Sequence, residues 1–332
     1  MLAIVCPGQG SQSPGFLTPW LELPGVDDRL SEYSAAAGMD LRAHGTVSDA
    51  ETIRDTAVAQ PLIVSASLVS LAAVLDGRPT ADVVGVTAGH SVGEFSAAVV
   101  AGVLDGAGAV ALVTSRALFM AEAARIVATG MSAVVGGDPE DVLAAIAAAG
   151  LHPANVNGGG QLVAAGYLDG LAHLAAHPPA KARVIPLAVA GAFHTPAMQP
   201  AVDRFAPVAA SWASRDPQLT LVSNLDGRAY ADLPGAAAPY GSGSEVLRRL
   251  AAQIVAPVRW DLCQRTLVAL GVTGLLELAP AGVLTGLARR TLPGVETVAV
   301  RTPADLDAAR DLVRRHAGPR DGGTPMTEEN PS

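Results

Sequence analysis

Short strand-like stretches alternate with longer helical ones along the chain. Residues 2–6 (LAIVC) and 82–89 (DVVGVTAG) are short apolar runs typical of buried strands. Residues 60–75, 91–104 and 108–125 are longer apolar runs with few breakers, which predicts helices. Strands that alternate with helices favour a parallel sheet covered on both faces. The segment between the first strand and the first of these helices is rich in breakers.

The pattern changes in the middle of the chain, where it predicts a compact β-α-β-α-β unit. Its strands are 131–137, 161–166 and 182–189, and its helices are 138–150 and 167–177. We interpret this unit as a small ferredoxin-like α+β subdomain, residues 125–191, inserted in a large α/β-hydrolase-like domain. The large domain then comprises residues 1–124 and 192–315. The polar, Pro- and Gly-rich residues 316–332 are expected to form a disordered tail.

Composition narrows the classes of partner. The net charge of −9 argues against nucleic acid. The two cysteines, Cys6 and Cys263, indicate neither a disulfide framework nor a zinc ribbon. No signal peptide is recognised at the N-terminus, and no run of about 18 uninterrupted apolar residues predicts a membrane span. We therefore expect a cytoplasmic protein that does not bind membranes.

The stretch GHSVG, residues 89–93, contains the first candidate for catalysis. A G-x-S-x-G pattern after a strand and before a helix is typical of a nucleophile elbow, in which a tight turn exposes the serine at a helix N-terminus. Ser91 is therefore a candidate nucleophile. The alternative is an ordinary tight turn with a packed serine.

A nucleophilic serine needs a base, and we favour His194 among the seven histidines. His194 follows an apolar run, in a loop before Pro196, although it could also be a structural histidine. His90 adjoins Ser91, but neighbours on a sharp turn point apart. His173 and His177 have the spacing of metal ligands but lack the glutamate of an HExxH motif, so we expect no metal site.

Two further features suit acyl transfer. The glycine-rich PGQGSQ, residues 7–12, follows the first strand and can present backbone N–H groups to an oxyanion, or it can be a plain turn. Arg116 lies within an otherwise apolar stretch, where its planar guanidinium could hold a carboxylate through two hydrogen bonds. The alternative is a solvated arginine on the outer face of a helix.

Together these motifs resemble the malonyl-CoA:acyl-carrier-protein transacylases and the acyltransferase domains of fatty-acid and polyketide synthases. The resemblance extends from residue 1 to about residue 312, and the motifs stand in the family's order. They are PGQGSQ (7–12), GHSVGE (89–94), RALFM (116–120), NVNGGGQLVAAG (155–166), GAFHTPAM (191–198), QIVAPVRW (253–260) and PAGVLTGLARR (280–290).

The resemblance implies a role for each matching residue. Ser91 would accept the malonyl group as an ester, and His194 would act as base and then as acid. The backbone carbonyl of Gln253 would orient His194, and the backbone N–H groups of Gln9 and Val92 would form the oxyanion hole. Arg116 would pair with the malonyl carboxylate, and Phe193 would favour malonyl over methylmalonyl.

The resemblance also implies partners. Malonyl-CoA would donate the acyl group in a ping-pong reaction, and the phosphopantetheine thiol of an acyl carrier protein would accept it, for fatty-acid and possibly polyketide synthesis. No metal or redox cofactor is expected, and a monomer is our expectation. Since carrier proteins are usually acidic, we place the docking patch at Arg289 and Arg290, which could instead be a solvated helix end.

Two alternatives remain open on the sequence alone. A serine esterase or thioesterase shares the elbow, with water as the acyl acceptor. A non-catalytic scaffold could keep the fold, although such a protein is expected to lose the serine, the histidine or the arginine.

Overall fold

Two β-sheets organise the protein, whose computed structural model describes residues 1–236 and 239–317. The strands are, in chain order, β1 Leu2–Cys6, β2 Val86–Gly89, β3 Thr129–Gly136, β4 His152–Gly158, β5 Gln161–Tyr167, β6 Ala182–Leu187, β7 Thr220–Val222, β8 Gly274–Glu277 and β9 Glu296–Ala299. In this part of the chain, one sheet is parallel with the order β7-β2-β1-β8-β9. The other is antiparallel with the order β4-β5-β3-β6.

Helices cover these sheets. They are α1 Val26–Ala37, α2 Leu41–Thr46, α3 Thr56–Leu75, α4 Gly93–Val100, α5 Gly106–Ala124, α6 Pro139–Ala148, α7 Leu168–Ala176, α8 Gln199–Ala210, α9 Gly243–Ala252, α10 Trp260–Ala269, α11 Val283–Thr291 and α12 Leu306–His316. The predicted fold class, α/β with a parallel sheet and a separate smaller sheet, is confirmed.

Strand β1 shows why both faces of the parallel sheet are covered. Its five residues are all buried, and successive side chains of a strand point to opposite faces. Leu2 and Ile4 pack in the core that includes α3, α5 and α12, whereas Ala3 and Val5 pack in a second core with α10 and α11. The apolar run predicted as a buried strand therefore serves two cores at once.

The longest helices are internal. Among the described residues, α3 and α5 are long and apolar enough to cross a membrane by length and composition alone. However, 83% and 56% of their most apolar 18-residue windows are buried within the fold, and the two helices pack against each other. Buried core helices often meet the same criteria of length and composition, so α3 and α5 are only weak evidence for a membrane span.

The smaller sheet contains one strand that the sequence pattern missed. Strand β4 pairs with β5, so the unit is β-α-β-β-α-β rather than β-α-β-α-β. Its sequence, HPANVNG, combines a proline with two asparagines, residue types that are depleted in strands, and its register shifts twice. Its backbone also forms two hydrogen bonds of 2.9 Å with Val258, which connect β4 to the segment just before α10.

Two other segments differ from the sequence pattern. The breaker-rich segment, to which the pattern assigned no element, contains the helices α1 and α2, and both pack against α3. The predicted disordered tail, 316–332, begins too early, since His316 is the last residue of α12 and hydrogen-bonds to Thr273. The tail from residue 318 onward lies outside the described residues.

Candidate active site

Ser91 lies in a tight turn between β2 and α4. Its φ of +52° is in the left-handed region, which is uncommon and costly for a residue other than glycine. A Cβ at Gly89 would lie 2.0 Å from the carbonyl carbon of Gly93, and one at Gly93 would lie 2.2 Å from the carbonyl oxygen of Cys6. Only glycine fits at both positions, so the strand and the helix approach closely and leave the serine at the turn.

The structure brings His194 to this serine. Its Nε2 lies 2.7 Å from the Oγ of Ser91, and its Nδ1 lies 2.9 Å from the backbone carbonyl oxygen of Gln253. Because a carbonyl only accepts, Nδ1 carries the hydrogen and the lone pair of Nε2 faces the hydroxyl. This arrangement equips His194 to remove the proton of Ser91.

The imidazole of His194 is held neutral. Burial, reinforced by the positive charge of Arg116, lowers the pKa of His194 from 6.5 to about 3, although the hydrogen bond to Gln253 opposes the shift. A neutral imidazole is the form that accepts a proton.

Arg116 projects from α5 into the same site and is only 1% exposed. Its Nη1 donates to the side-chain oxygen of Gln60 (2.5 Å), and its Nη2 donates to the side-chain oxygen of Gln253 (2.6 Å). Burial lowers the pKa of Arg116 to about 10, which leaves it charged at neutral pH. Across residues 1–236 and 239–317, no carboxylate lies within ion-pairing distance of it, and its Nε has no hydrogen-bond partner.

One cavity of about 350 Å³ connects these groups. Its lining includes Gln9, Ser91, Val92, Arg116, Phe193 and His194. The cavity is large enough for a small acyl group and part of its carrier. The spatial meeting of serine, imidazole and guanidinium is the arrangement expected from the sequence.

A family of known proteins matches almost the whole chain. The family described as "Acyl transferase domain" matches residues 3–304. The chain belongs to this acyltransferase family. The geometry of Ser91 and His194 suits the transfer of an acyl group.

Individual relatives and structures agree with this assignment. The acyltransferase is 49% identical to the malonyl CoA-acyl carrier protein transacylase of Mycobacterium bovis over 94% of this chain and 100% of that protein. A crystal structure of MCAT from Mycobacterium tuberculosis is 48% identical, with a TM-score of 0.85, over 93% of this chain and 99% of that chain. A type II PKS acyl-carrier protein in complex with its malonyl-transacylase gives a TM-score of 0.83 at 31% identity, over 93% and 99% of the two chains.

Two residues that line the cavity, Gln9 and Val92, have backbone N–H groups without a hydrogen-bond partner among the described residues. No hydrogen bond found among the described residues uses the backbone N–H of Gln9 or of Val92. Val92 directly precedes the first residue of α4, where the helix dipole favours negative charge. The loop around Gln9 is shaped by a hydrogen bond of 2.8 Å from the hydroxyl of Ser11 to the carbonyl of Gly8.

Sequence reasoning predicted the backbone carbonyl of Gln253 beside His194, but it missed Asn224 and Gln60, which hold Ser91 and Arg116. The side-chain oxygen of Asn224 accepts the backbone N–H of Ser91 at 2.7 Å, and its amide donates to the carbonyl of Gly89 at 2.6 Å. Asn224 follows β7 at the carboxyl end of the parallel sheet, and this position was a usable signal. Gln60 gave none, since a glutamine inside an apolar helix has many possible partners.

Glu94 was also missed as a site residue, although it lies in the elbow motif. It is 3% exposed, and its carboxylate accepts from the backbone N–H of Asn224 at 2.7 Å and from the side-chain amide of Gln253. Burial raises the pKa of Glu94 to about 7, while these hydrogen bonds and the charge of Arg116 limit the shift.

The remaining predicted residues are placed as follows. Phe193 lines the cavity and is 5% exposed. Arg289 and Arg290 are exposed in the last turn of α11 and do not line the cavity.

Other histidines serve different purposes. His90 lines the cavity but pairs with Asn157 rather than with Ser91, since its Nε2 lies 2.9 Å from the side-chain oxygen of Asn157. His173 and His177 stack at the end of α7. Within the described parts of the chain, no group of three or more metal-binding side chains occurs.

Proposed function

We propose that this acyltransferase transfers the malonyl group of malonyl-CoA to the phosphopantetheine thiol of an acyl carrier protein. The family, the activity named for the relatives and the carrier complex described above support this reaction. The transfer supplies extender units for fatty-acid synthesis and can also serve polyketide synthesis. The carrier and malonyl-CoA are its partners, in the cytoplasm, and the working unit is a monomer.

In the first half-reaction, Nε2 of His194 takes the proton of Ser91 while Oγ attacks the thioester carbonyl. The oxyanion that forms accepts hydrogen bonds from the backbone N–H groups of Gln9 and Val92. The C–S bond then breaks, and the imidazolium gives its proton to the departing CoA sulfur. The carbonyl of Gln253 keeps the hydrogen on Nδ1 and stabilises the imidazolium.

The second half-reaction reverses these steps with a different thiol. The phosphopantetheine thiol enters the same cavity and passes its proton to His194 as its sulfur attacks the ester carbonyl. The C–O bond breaks, and Oγ of Ser91 recovers the proton from His194. An acyl group moves between sulfur and oxygen without any redox change, so no redox cofactor takes part. The scheme assigns every step to residues of this chain and includes no metal.

The observation that carries the malonyl assignment is the charge of Arg116. Its guanidinium is buried beside the Ser91–His194 pair, and its hydrogen-bond partners are neutral amides. Glu94 attracts this charge from behind the amide of Gln253 but does not contact the guanidinium. A buried cation without a carboxylate in direct contact is costly, and a carboxylate in the cavity would compensate that cost. The free carboxylate of a malonyl group is such a partner.

Phe193 sets the preference among carboxylated acyl groups. Its ring lines the cavity next to His194, where its bulk would crowd a branch on the α-carbon. A methyl-sized difference of this kind discriminates by about 10–200-fold.

Docking of the acidic carrier uses the exposed Arg289 and Arg290.

The experiment that tests this function separates transfer from hydrolysis. We expect malonyl-CoA and a holo carrier protein to give malonyl-carrier with little free malonate. Arg116→Ala should lose the preference for malonyl-CoA over acetyl-CoA. Free malonate as the main product would instead identify a thioesterase, and no acyl exchange at all would identify a non-catalytic protein.

A further inference from the structure

The side chain of Gln253 connects the arginine to the rest of the site. Its oxygen accepts from Arg116, and its amide nitrogen donates to the backbone carbonyl of Ser91 at 3.0 Å and to Glu94. Only one of the two amide orientations suits Arg116, since the guanidinium donates and cannot accept. The other orientation would place an NH2 group against the guanidinium.

Glu94 and the backbone carbonyl of Ser91 both select that orientation, because each accepts from the NH2 of Gln253. An ionised carboxylate is an acceptor only, so the amide group that faces it must be the NH2 of Gln253. The other carboxylate oxygen is already occupied by the backbone N–H of Asn224. Both oxygens of Glu94 therefore meet donors, and the oxygen of Gln253 is left to face Arg116.

We propose that Glu94 is a positioning residue that acts through the side chain of Gln253 and holds Arg116 in place for the substrate carboxylate. This inference rests on the function proposed above. Glu94 lies on α4, Gln253 directly follows α9, and Arg116 lies on α5, so the contact chain fixes three elements relative to one another.

The substitution Glu94→Gln tests the acceptor-only argument with almost no change in size. A glutamine would present its own NH2 either to the N–H of Asn224 or to the NH2 of Gln253. One donor would face another. If Gln253 turns its amide to avoid this contact, its NH2 faces the guanidinium of Arg116 and its oxygen faces the carbonyl of Ser91. We expect the ratio of kcat/KM for malonyl-CoA over acetyl-CoA to fall about tenfold at pH 8, where Glu94 is ionised, mainly through a higher KM for malonyl-CoA.

Glu277→Gln is the matched control. Glu277 is another fully buried glutamate, but its carboxylate accepts from the backbone N–H groups of Leu284 and Thr285, away from the cavity. We expect this control to keep the wild-type preference for malonyl-CoA. Unchanged preference in Glu94→Gln, or an equal loss in Glu277→Gln, would overturn the proposal.

A double-mutant cycle tests whether the effect passes through Gln253. Gln253→Met removes the side-chain hydrogen bonds but keeps the backbone carbonyl that accepts from His194. Once Gln253 is methionine, Glu94→Gln should cause no further loss of preference. A second loss of the same factor would show that Glu94 acts by another route and would overturn the proposal.

Glu94→Asp gives a second substitution at the same position. It keeps two acceptor oxygens on a shorter side chain, so it should retain more of the malonyl preference than Glu94→Gln. Equal losses would overturn the acceptor-only argument. If Glu94→Gln does not fold, the same cycle with Glu94→Asp carries the test. A wild-type enzyme without malonyl preference would instead reject the proposed function itself.

Discussion

At the scale of single residues, the site depends on two strained backbones. Ser91 and His194 have φ values of +52° and +62°, and a residue other than glycine in this region costs about 1–3 kcal/mol. The surroundings compensate for this strain, since Asn224 holds the N–H of Ser91 and the carbonyl of Gln253 holds the ring of His194. The strain and its supports together aim the imidazole lone pair at the hydroxyl.

The protonation of His194 can be checked directly. Burial and the charge of Arg116 lower its pKa to about 3, so the folded protein should keep the imidazole neutral from pH 8 down to pH 5. The carbon-13 resonance of its ring, assigned by its loss in His194→Gln, should therefore stay constant over this range. A resonance that moves with a midpoint near pH 6 would contradict the neutral base.

At the scale of elements, the ends of parallel strands create the site. Gly8 and Gln9 follow β1, the elbow follows β2, and Asn224 follows β7, so three neighbouring strands deliver residues to one edge of the sheet. Strand β4 of the smaller sheet completes the cavity wall with Asn155.

The glycine at the start of α4 gives a prediction about this close packing. Gly93→Ala would place a Cβ 2.2 Å from the carbonyl of Cys6, so α4 must move away from β1. We expect a loss of about 1–3 kcal/mol in the free energy of unfolding. Because small displacements of reacting groups are expensive, acylation of Ser91 should slow by about 100-fold.

Gly286→Ala is the control for this substitution. Gly286 lies inside α11, and a Cβ there would meet no atom within 4 Å. Alanine should therefore stabilise the helix by about 0.5–1 kcal/mol and leave acylation unchanged. Chemical denaturation measures both stabilities, and equal behaviour of the two alanine variants would refute the packing argument.

Particular residues show how far the sequence can predict this site. The elbow is a local signal, because Gly89, Ser91 and Gly93 impose the turn within five residues. The contacts of Ser91 with Asn224 and of Arg116 with Gln60 span 133 and 56 residues, and no local pattern encodes such distances. Strand β4 was missed because its stability comes from pairing with β5 rather than from its own composition.

At the scale of the whole molecule, the distribution of charge limits where an acidic carrier can dock. The chain carries a net charge of −9, so an acidic carrier is repelled except where arginines collect. The last turn of α11 exposes Arg289 and Arg290, on the opposite face of the parallel sheet from α12.

Reversal of this charge tests the docking proposal. Arg289→Glu with Arg290→Glu should raise KM for the carrier several-fold, while acylation by malonyl-CoA stays unchanged. The matched control is Arg183→Glu with Arg228→Glu, the same change in net charge on two exposed arginines for which, as for Arg289 and Arg290, no ion pair is found among the described residues. It should leave KM for the carrier at the wild-type value. Equal increases in both double variants would reject a local docking site, as would an equal loss of acylation.

The central claim, that Ser91 receives the acyl group, is tested most directly by intact-protein mass spectrometry after brief incubation with malonyl-CoA. Wild-type protein and the exposed-serine control Ser211→Ala should each gain one malonyl group per chain, localised to Ser91 by peptide analysis. Ser91→Ala should gain none. A malonyl group on the Ser91→Ala protein, or none on the wild type, would contradict the account.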